Sequence, residues 1–254
     1  MNVLLVGCGR MGGAMARGWA GHRILVFDPV AALPEGAERV ETLDPAQLPE
    51  ELVVVLAVKP QTFPGLAPAL APLAPRGALF LSIMAGMTLS GMSAALGGTR
   101  RIVRAMPNTP AAIGRGITAA VADADTQEAD RATVTALLKA TGALVWLESE
   151  GDLDAVTALS GSGPAYFFRF TEAMARAGTA AGLAEELAMQ LARATFIGAA
   201  ALAEAEPASL ALLREQVTSP GGTTAAGLAE MEAIDGLATQ VIAAAAARSR
   251  ALAG

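Results

Sequence analysis

Reactive side chains are scarce in this chain: its 254 residues include one His (His22), one Cys (Cys8), one Tyr (Tyr166) and two lysines (Lys59 and Lys139). The usual zinc sites cannot be assembled from that inventory, so no metal is expected. Triad hydrolysis would need His22, and no Gly-x-Ser-x-Gly elbow supplies a nucleophile for it. A lone Cys8 excludes an internal disulfide. Long apolar runs are also missing. The longest, residues 52–58 and 241–247, fall far short of the roughly 20 residues of a membrane span, although 53% of the chain is hydrophobic. Only 17% of residues are charged, the net charge is −6, and no basic run appears, which argues against nucleic acid as a partner. Residues 1–6 lack the basic start and small-residue cleavage site of a signal peptide, so a cytoplasmic protein is expected. Chemistry in such a chain must need little help from protein acids and bases.

What is present falls into two halves. Residues 2–6 read as a strand running into Gly7-Cys8-Gly9-Arg10-Met11-Gly12, and residues 11–20 as a helix. Further strands are expected at 23–27, 52–58, 78–82, 102–105, 116–121 and 144–147, with helices at 61–73 and 126–141 between them. Strands alternating with helices predict βαβ units and a mostly parallel, doubly wound sheet. After Glu150 the pattern is helical throughout, at 152–178, 184–204, 207–216, 224–231 and 234–252. These helices are rich in alanine, so each has little apolar bulk to bury alone, and the half is expected to associate as a dimer. The expected division is a dinucleotide-binding domain at 1–149 and a helical domain at 150–254.

Four segments carry candidate chemistry. In Gly7-x-Gly9-x-x-Gly12, Gly7 permits a tight turn, Gly9 lets a pyrophosphate approach the backbone, and Gly12 allows close helix packing. Asp28 ends the second strand, about 20 residues on, where an acid accepts a ribose hydroxyl; the alternative is an exposed turn acid before Pro29. An Asp there favours NADH over the 2′-phosphate of NADPH, while Arg10 offers a partner for a phosphate. Ala57-Val58-Lys59 closes a buried strand at the ligand-binding edge of such sheets, where Lys59 could steady ribose or phosphate or simply be solvated. Met106-Pro107-Asn108-Thr109-Pro110 is a stiff loop suited to face the nicotinamide, or a plain turn. In the helical half, residues 159–166 (Leu-Ser-Gly-Ser-Gly-Pro-Ala-Tyr) read as a kink. Residues 217–224 (Val-Thr-Ser-Pro-Gly-Gly-Thr-Thr) lead into a helix whose first amides are unpaired, which suits a substrate carboxylate as well as an ordinary Thr cap. His22 and Cys8 are read as a surface turn residue and a small spacer, respectively, and neither is given a catalytic role.

Taken in order, the glycine turn, 57–61, Ser-Ile-Met-Ala-Gly at 82–86, 106–110, and above all 156–166 and 217–224 resemble the pyrroline-5-carboxylate reductases over essentially the whole chain. The resemblance implies an α/β fold, an N-terminal Rossmann-type doubly wound sheet followed by an all-helical C-terminal dimerisation domain. It also implies NADPH-dependent reduction of 1-pyrroline-5-carboxylate to L-proline, with NADH also plausible, by a homodimer or a higher oligomer of dimers. By position it assigns the cofactor to Gly7, Cys8, Gly9, Arg10, Met11, Gly12, Ala57, Val58, Lys59, Met84 and Ala85, to which the reading of the residues themselves adds Asp28 and Asn108. The substrate falls to Glu150, Ser219, Gly222, Thr223 and Thr224, with Thr224 reaching the ring nitrogen as the catalytic contact. Two departures stand out: 204–213 is a few residues longer than is usual in the family, and Asp28 runs against the family's common NADPH preference. Reduction of a related cyclic imine is the alternative reaction. A hydroxyacid dehydrogenase would need a Lys or His relay beside its alcohol, and from Glu150 onward there is neither. A dinucleotide-sensing regulator would have no use for 219–224.

Overall fold

A computed structural model describes residues 1–252 of the chain. Two compact units emerge: Met1–Ser162 together with the residues from Ala244 onward, and Gly163–Ala243. In the first, eight strands form one sheet: β1 (Asn2–Val6), β2 (Arg23–Phe27), β3 (Glu38–Arg39), β4 (Leu52–Leu56), β5 (Leu79–Ser82), β6 (Ile102–Met106), β7 (Gly116–Ala122) and β8 (Gly142–Trp146). Their order is β3-β2-β1-β4-β5-β6-β7-β8. All neighbours run parallel except β6 and β7. The chain therefore winds one way from β1 to β3 and the other way from β4 onward, leaving a switch point between β1 and β4 where such sheets bind ligands.

Both faces of this sheet are covered, which is why β4 reads Leu-Val-Val-Val-Leu with every residue buried rather than alternating. Leu52, Val54 and Leu56 pack on one side with Phe63, Ala67 and Leu70 of α2 (Phe63–Leu70), and Leu89 and Met92 of α3 (Leu89–Ala95). Val53 and Val55 pack on the other with Met15 of α1 (Arg10–Arg17) and Val134 and Leu137 of α4 (Glu128–Lys139). Trp19 is fully enclosed there, and its indole nitrogen donates to the Leu137 carbonyl at 3.0 Å, so the largest side chain leaves no unpaired polar atom.

Several expected elements differ in detail. The helix expected at 61–73 is α2 flanked by 3-10 turns at Pro60–Thr62 and Ala71–Arg76, because Pro68 lies inside it and Pro75 follows, each lacking an amide to donate. One strand and one α-helix had not been expected: β3, which is two residues long, and α3, capped by Thr88 accepting from the Gly91 amide at 3.1 Å; nor had the 3-10 turns at Pro45–Gln47 and Thr109–Ile113. The single helix expected at 152–178 is instead α5 (Asp152–Val156), a π turn at Thr157–Gly161 and α6 (Gly163–Ala180). Its wide turn is closed by the Ser162 amide on the Thr157 carbonyl, and Pro164 falls in the first turn of α6, where a missing amide costs nothing.

The second unit contains α6, α7 (Glu185–Ala205), α8 (Leu210–Gln216), α9 (Thr223–Ala229) and the start of α10 (Ile234–Leu252). Phe196 of α7 stacks on Phe167 and meets Phe168 edge-on, with centroids 6.0 and 6.5 Å apart. The end of α10 belongs to the sheet unit, where Ser249 donates to Asp154 at 2.6 Å.

Candidate active site

The glycine turn joins β1 to α1 at the sheet's switch point. Gly7 has φ +91, and a Cβ there would stand 2.7 Å from the Val58 side chain and 2.8 Å from the Ala57 carbonyl oxygen. A Cβ on Gly12 would stand 2.4 Å from the Gly7 carbonyl oxygen, so the first turn of α1 lies directly on the loop. Gly9 differs: a Cβ built there meets nothing within 4 Å, leaving the backbone open to a ligand. Gly9 also caps α1 and accepts from the Gly13 amide, so the amides of Arg10, Met11 and Gly12 have no acceptor within the helix. Together, free amides, an exposed backbone and the positive end of a helix fit a dinucleotide pyrophosphate.

Beside the turn lies a cavity of about 410 Å³, lined by Phe27, Asp28, Val40, Glu41, Val58 and Thr62 among others. Its apolar walls between the ends of β2 and β4 suit an adenosine moiety. Asp28 borders it, yet its carboxylate is already engaged: Oδ2 accepts from the Cys8 amide at 2.8 Å, and Oδ1 from the Val30 and Ala31 amides at 3.0 Å. Burial alone would raise the Asp28 carboxyl, but those three amides and the Arg39 charge outweigh it and hold the group below its usual value. Of the roughly four lone pairs of a carboxylate, one on Oδ2 is left for a ribose hydroxyl. Asp28 is thus both a lining group and the tie between the glycine turn and the loop after β2. Burial and the neighbouring Asp28 charge push the Cys8 thiol up, against the opposing pull of Arg17 and Arg39. Such a thiol is inert.

The remaining cofactor candidates follow the strand ends. Ala57 extends the β4 pairing through its amide on the Val6 carbonyl, and Lys59 stands exposed two residues later. Met84 is buried, with its side chain in the core and its amide donating to Ser82 Oγ at 3.2 Å, while Ala85 beside it is exposed. Asn108 is buried, and its Oδ1 accepts from the Ile117 amide at 3.0 Å, which pins the 106–110 loop to the start of β7.

Glu150, which the resemblance places near the substrate, lies in the sheet unit and holds it together. Its Oε1 accepts from the Leu89 amide and from Arg104 Nη1, both at 2.8 Å. Arg104 on β6 is buried, and its Nε has no hydrogen-bond partner among the described residues. No expectation had been placed on Arg104; the available signal was a lone arginine inside the apolar run of 102–106.

In the helical unit, Gly221 has φ +67, which favours glycine there, and a Cβ on Gly222 would crowd the Ser219 hydroxyl and stand 3.2 Å from the Ser219 carbonyl oxygen. Gly222 caps α9, leaving the Thr223 and Thr224 amides without intrahelical acceptors, and both threonines are exposed. Among the described residues no group of three or more His, Cys, Asp or Glu could hold a metal, and no helix is long and apolar enough to cross a membrane.

Residues 150–252 match the family model for pyrroline-5-carboxylate reductase dimerisation, and residues 2–86 match NADP oxidoreductase, coenzyme F420-dependent. The chain is 39% identical to the pyrroline-5-carboxylate reductase of Pseudomonas aeruginosa, covering 99% of this chain and 97% of that one. The chain belongs to the pyrroline-5-carboxylate reductase family. The family's plant enzyme from Pisum sativum is 40% identical over 79% of this chain and 73% of its own. Among solved structures, the Coxiella burnetii pyrroline-5-carboxylate reductase superposes with a TM-score of 0.90 at 32% identity, covering 100% of this chain and 98% of that one. A Plasmodium falciparum pyrroline carboxylate reductase with NADP bound gives 0.82 at 27%, covering 99% and 100%. The two-part plan of this family is what the sequence had led us to expect: a doubly wound sheet followed by a helical dimerisation half. Family membership makes the chain a nicotinamide-dependent oxidoreductase.

Proposed function

We propose that this chain reduces the C=N bond of 1-pyrroline-5-carboxylate to give L-proline, as a cytoplasmic homodimer or a higher oligomer of dimers. The observation that carries this reading is the 39% identity to a pyrroline-5-carboxylate reductase along nearly the full length of both chains. In it, residues 1–149 hold the nucleotide, and 150–254 supply the substrate loop and the dimer contacts.

The nicotinamide, when bound, supplies a hydride to the imine carbon. The chain's own part is placement. Gly7, Cys8, Gly9, Arg10, Met11 and Gly12 seat the pyrophosphate on free amides, Asp28 offers one lone pair to the ribose, and Ala57, Val58 and Lys59 flank the dinucleotide at the end of β4. The main chain of Met84 and Ala85 and the pinned loop at Asn108 border the nicotinamide end. The substrate carboxylate sits on the amides of Gly222, Thr223 and Thr224 beside Ser219. The protonated ring nitrogen donates to the Thr224 hydroxyl, so Thr224 is the catalytic contact. Because that nitrogen carries its proton into the reaction, no strong protein acid is needed, in keeping with a chain so poor in His, Tyr and Lys. Orientation does the work that acid–base groups do elsewhere. Glu150 acts at one remove, fixing Arg104 and the start of α3.

Both NADPH and NADH are expected to serve, since Asp28 repels a 2′-phosphate without blocking the site. Mixing purified protein with 1-pyrroline-5-carboxylate and either dinucleotide and following the nicotinamide absorbance tests the proposal. Steady loss of absorbance that depends on the imine is expected. Its absence with both cofactors would overturn the reading.

A further inference from the structure

The cavity beside the glycine turn carries a charge pattern that bears on which dinucleotide it prefers. Of its ten lining residues, two are ionisable, Asp28 and Glu41, and both are acids. The others are glycine, proline, apolar side chains and Thr62. The two acids differ in how they are held. Asp28 is tied down by three backbone amides, and its removal would loosen the turn itself. Glu41 is exposed, two residues past β3, and makes no hydrogen bond or ion pair among the described residues. Its charge is therefore not neutralised by a neighbour. Arg39 is the cation nearest to it in sequence, and that guanidinium is turned to the loop backbone, donating to the carbonyl oxygens of Asp28 and Ala31.

We propose that Glu41 is a specificity-determining residue of this chain, an unneutralised carboxylate on the adenosine cavity that disfavours a dinucleotide bearing a 2′-phosphate and so biases the protein toward NADH. The inference rests on the reading of the cavity as the adenosine site. Its physical basis is simple: a 2′-phosphate brings up to two negative charges into a half-enclosed space bounded by two more, no cation lines that space, and of the two acids only Asp28 has a neighbouring charge, that of Arg39, to offset it. A free 2′-hydroxyl brings none and can donate to the remaining Asp28 lone pair. Asp28 is the structural acid of the pair, and Glu41 is the one that can be changed without disturbing the scaffold.

The test is calorimetric titration of the full chain with 5′-AMP and adenosine 2′,5′-bisphosphate, which differ only in the phosphate at issue, and with NADH and NADPH. Wild type, Glu41→Gln and Glu41→Lys are compared, and thermal unfolding confirms that each is folded. Wild type should bind the member of each pair that lacks the 2′-phosphate more tightly. The ratio of the two Kd values should move toward the phosphorylated member by about threefold in Glu41→Gln and about tenfold in Glu41→Lys. NADH affinity should change by less than about threefold, and the ratios should converge as salt is raised. Ratios that stay within about twofold of wild type in both variants, or a wild type that prefers the phosphorylated members, would overturn the proposal. If no nucleotide binds, the cofactor reading fails and the proposal with it. If the ratios move as expected but 1-pyrroline-5-carboxylate is not reduced, the proposal stands and only the substrate reading falls.

Discussion

The sheet unit and the helical unit keep their large side chains in opposite ways. In the sheet unit Trp19, Phe63 and Phe80 are enclosed, and β1 and β4 are buried almost end to end. In the helical unit α6 and α7 together bury only Gly163, Ala175 and Ala188, while Phe167 and Phe168 stand 59% and 55% exposed. At roughly 25 cal/mol per Å² of apolar surface, a helix hairpin that leaves its phenylalanines in water has not collected most of the stabilisation its sequence offers. One unit is complete as a single chain; the other is half of something. The match of residues 150–252 to a dimerisation model gives the missing half a natural source in a second copy.

This contrast is most easily broken at the phenylalanine cluster. Phe167→Asp combined with Phe168→Asp should weaken dimerisation by at least about 4 kcal/mol, roughly a thousandfold in Kd, because each change occurs twice per dimer in an apolar contact. Sedimentation at micromolar concentration checks it, and the sheet unit should still bind dinucleotide. A dimer that persists unchanged in the double variant would mean that these rings face water in the assembly too.

The second break lies inside the sheet unit, at Arg104 and Glu150. Their side chains are 5% and 29% exposed, so the two halves of the pair are not equivalent. Glu150→Ala strands a buried guanidinium and should cost about 3–5 kcal/mol, whereas Arg104→Met leaves a carboxylate that can turn to water and should cost clearly less. Urea unfolding of both variants measures the asymmetry, and equal losses would contradict it.

Thr224→Ala acts on the helical unit with no stability at stake, since Thr224 is exposed. It should reduce kcat/KM for the imine by about 1–3 kcal/mol of barrier while NADH affinity stays nearly the same. Activity equal to wild type would remove Thr224 from the mechanism.

Much of this arrangement is legible in the residues. The glycine turn, the continuous apolar strands and the change to helix after Glu150 are local patterns several residues long, and the fold follows them. What escaped is either too short to carry a period or depends on partners far away in the chain. Glu38 and Arg39 form a two-residue strand, and Gly91 obscures α3. Glu150 could be matched to a family position, but its bond to Arg104 spans 46 residues and has no sequence signature. Asp28 was legible as an acid at the right offset, and its bonds from the Val30 and Ala31 amides are those of an ordinary Asp turn; that the Cys8 amide, 20 residues away, also occupies it was not legible, because that bond depends on how two loops meet. Likewise α10 is uniformly alanine-rich, so nothing in its sequence marks where it returns to the sheet unit to bury Ala246 and Ser249.

The smallest expected effect separates the units by acid. In the sheet unit, Arg101 donates to Asp130 through Nε at 2.9 Å and through Nη2 at 2.5 Å, and the Gln127 amide donates to the same carboxylate. The Arg101 hydrogen bond, partly opposed by burial and aided by Gln127 and the Arg101 charge, holds the Asp130 carboxyl below its ordinary value of 3.8. A carboxyl lowered by folding stabilises the folded state above its unfolded value, and that stability is lost as pH falls through the folded one. In the helical unit the Arg176–Glu172 pair is 4.0 Å apart, with both side chains more than half exposed, so it contributes little at any pH. Acid below about pH 4 should therefore weaken the sheet unit before the helical one. Asp130→Asn should flatten that acid limb, by at most about 1 kcal/mol, because Arg101 is 39% exposed and water screens the pair. Urea unfolding from neutral pH downward, with tryptophan emission as the readout, measures it; Trp19 and Trp146 both lie in the sheet unit. An acid limb in Asp130→Asn as steep as in wild type would show that the sheet unit's acid sensitivity arises elsewhere, with Asp28 and its three amides the next group to change.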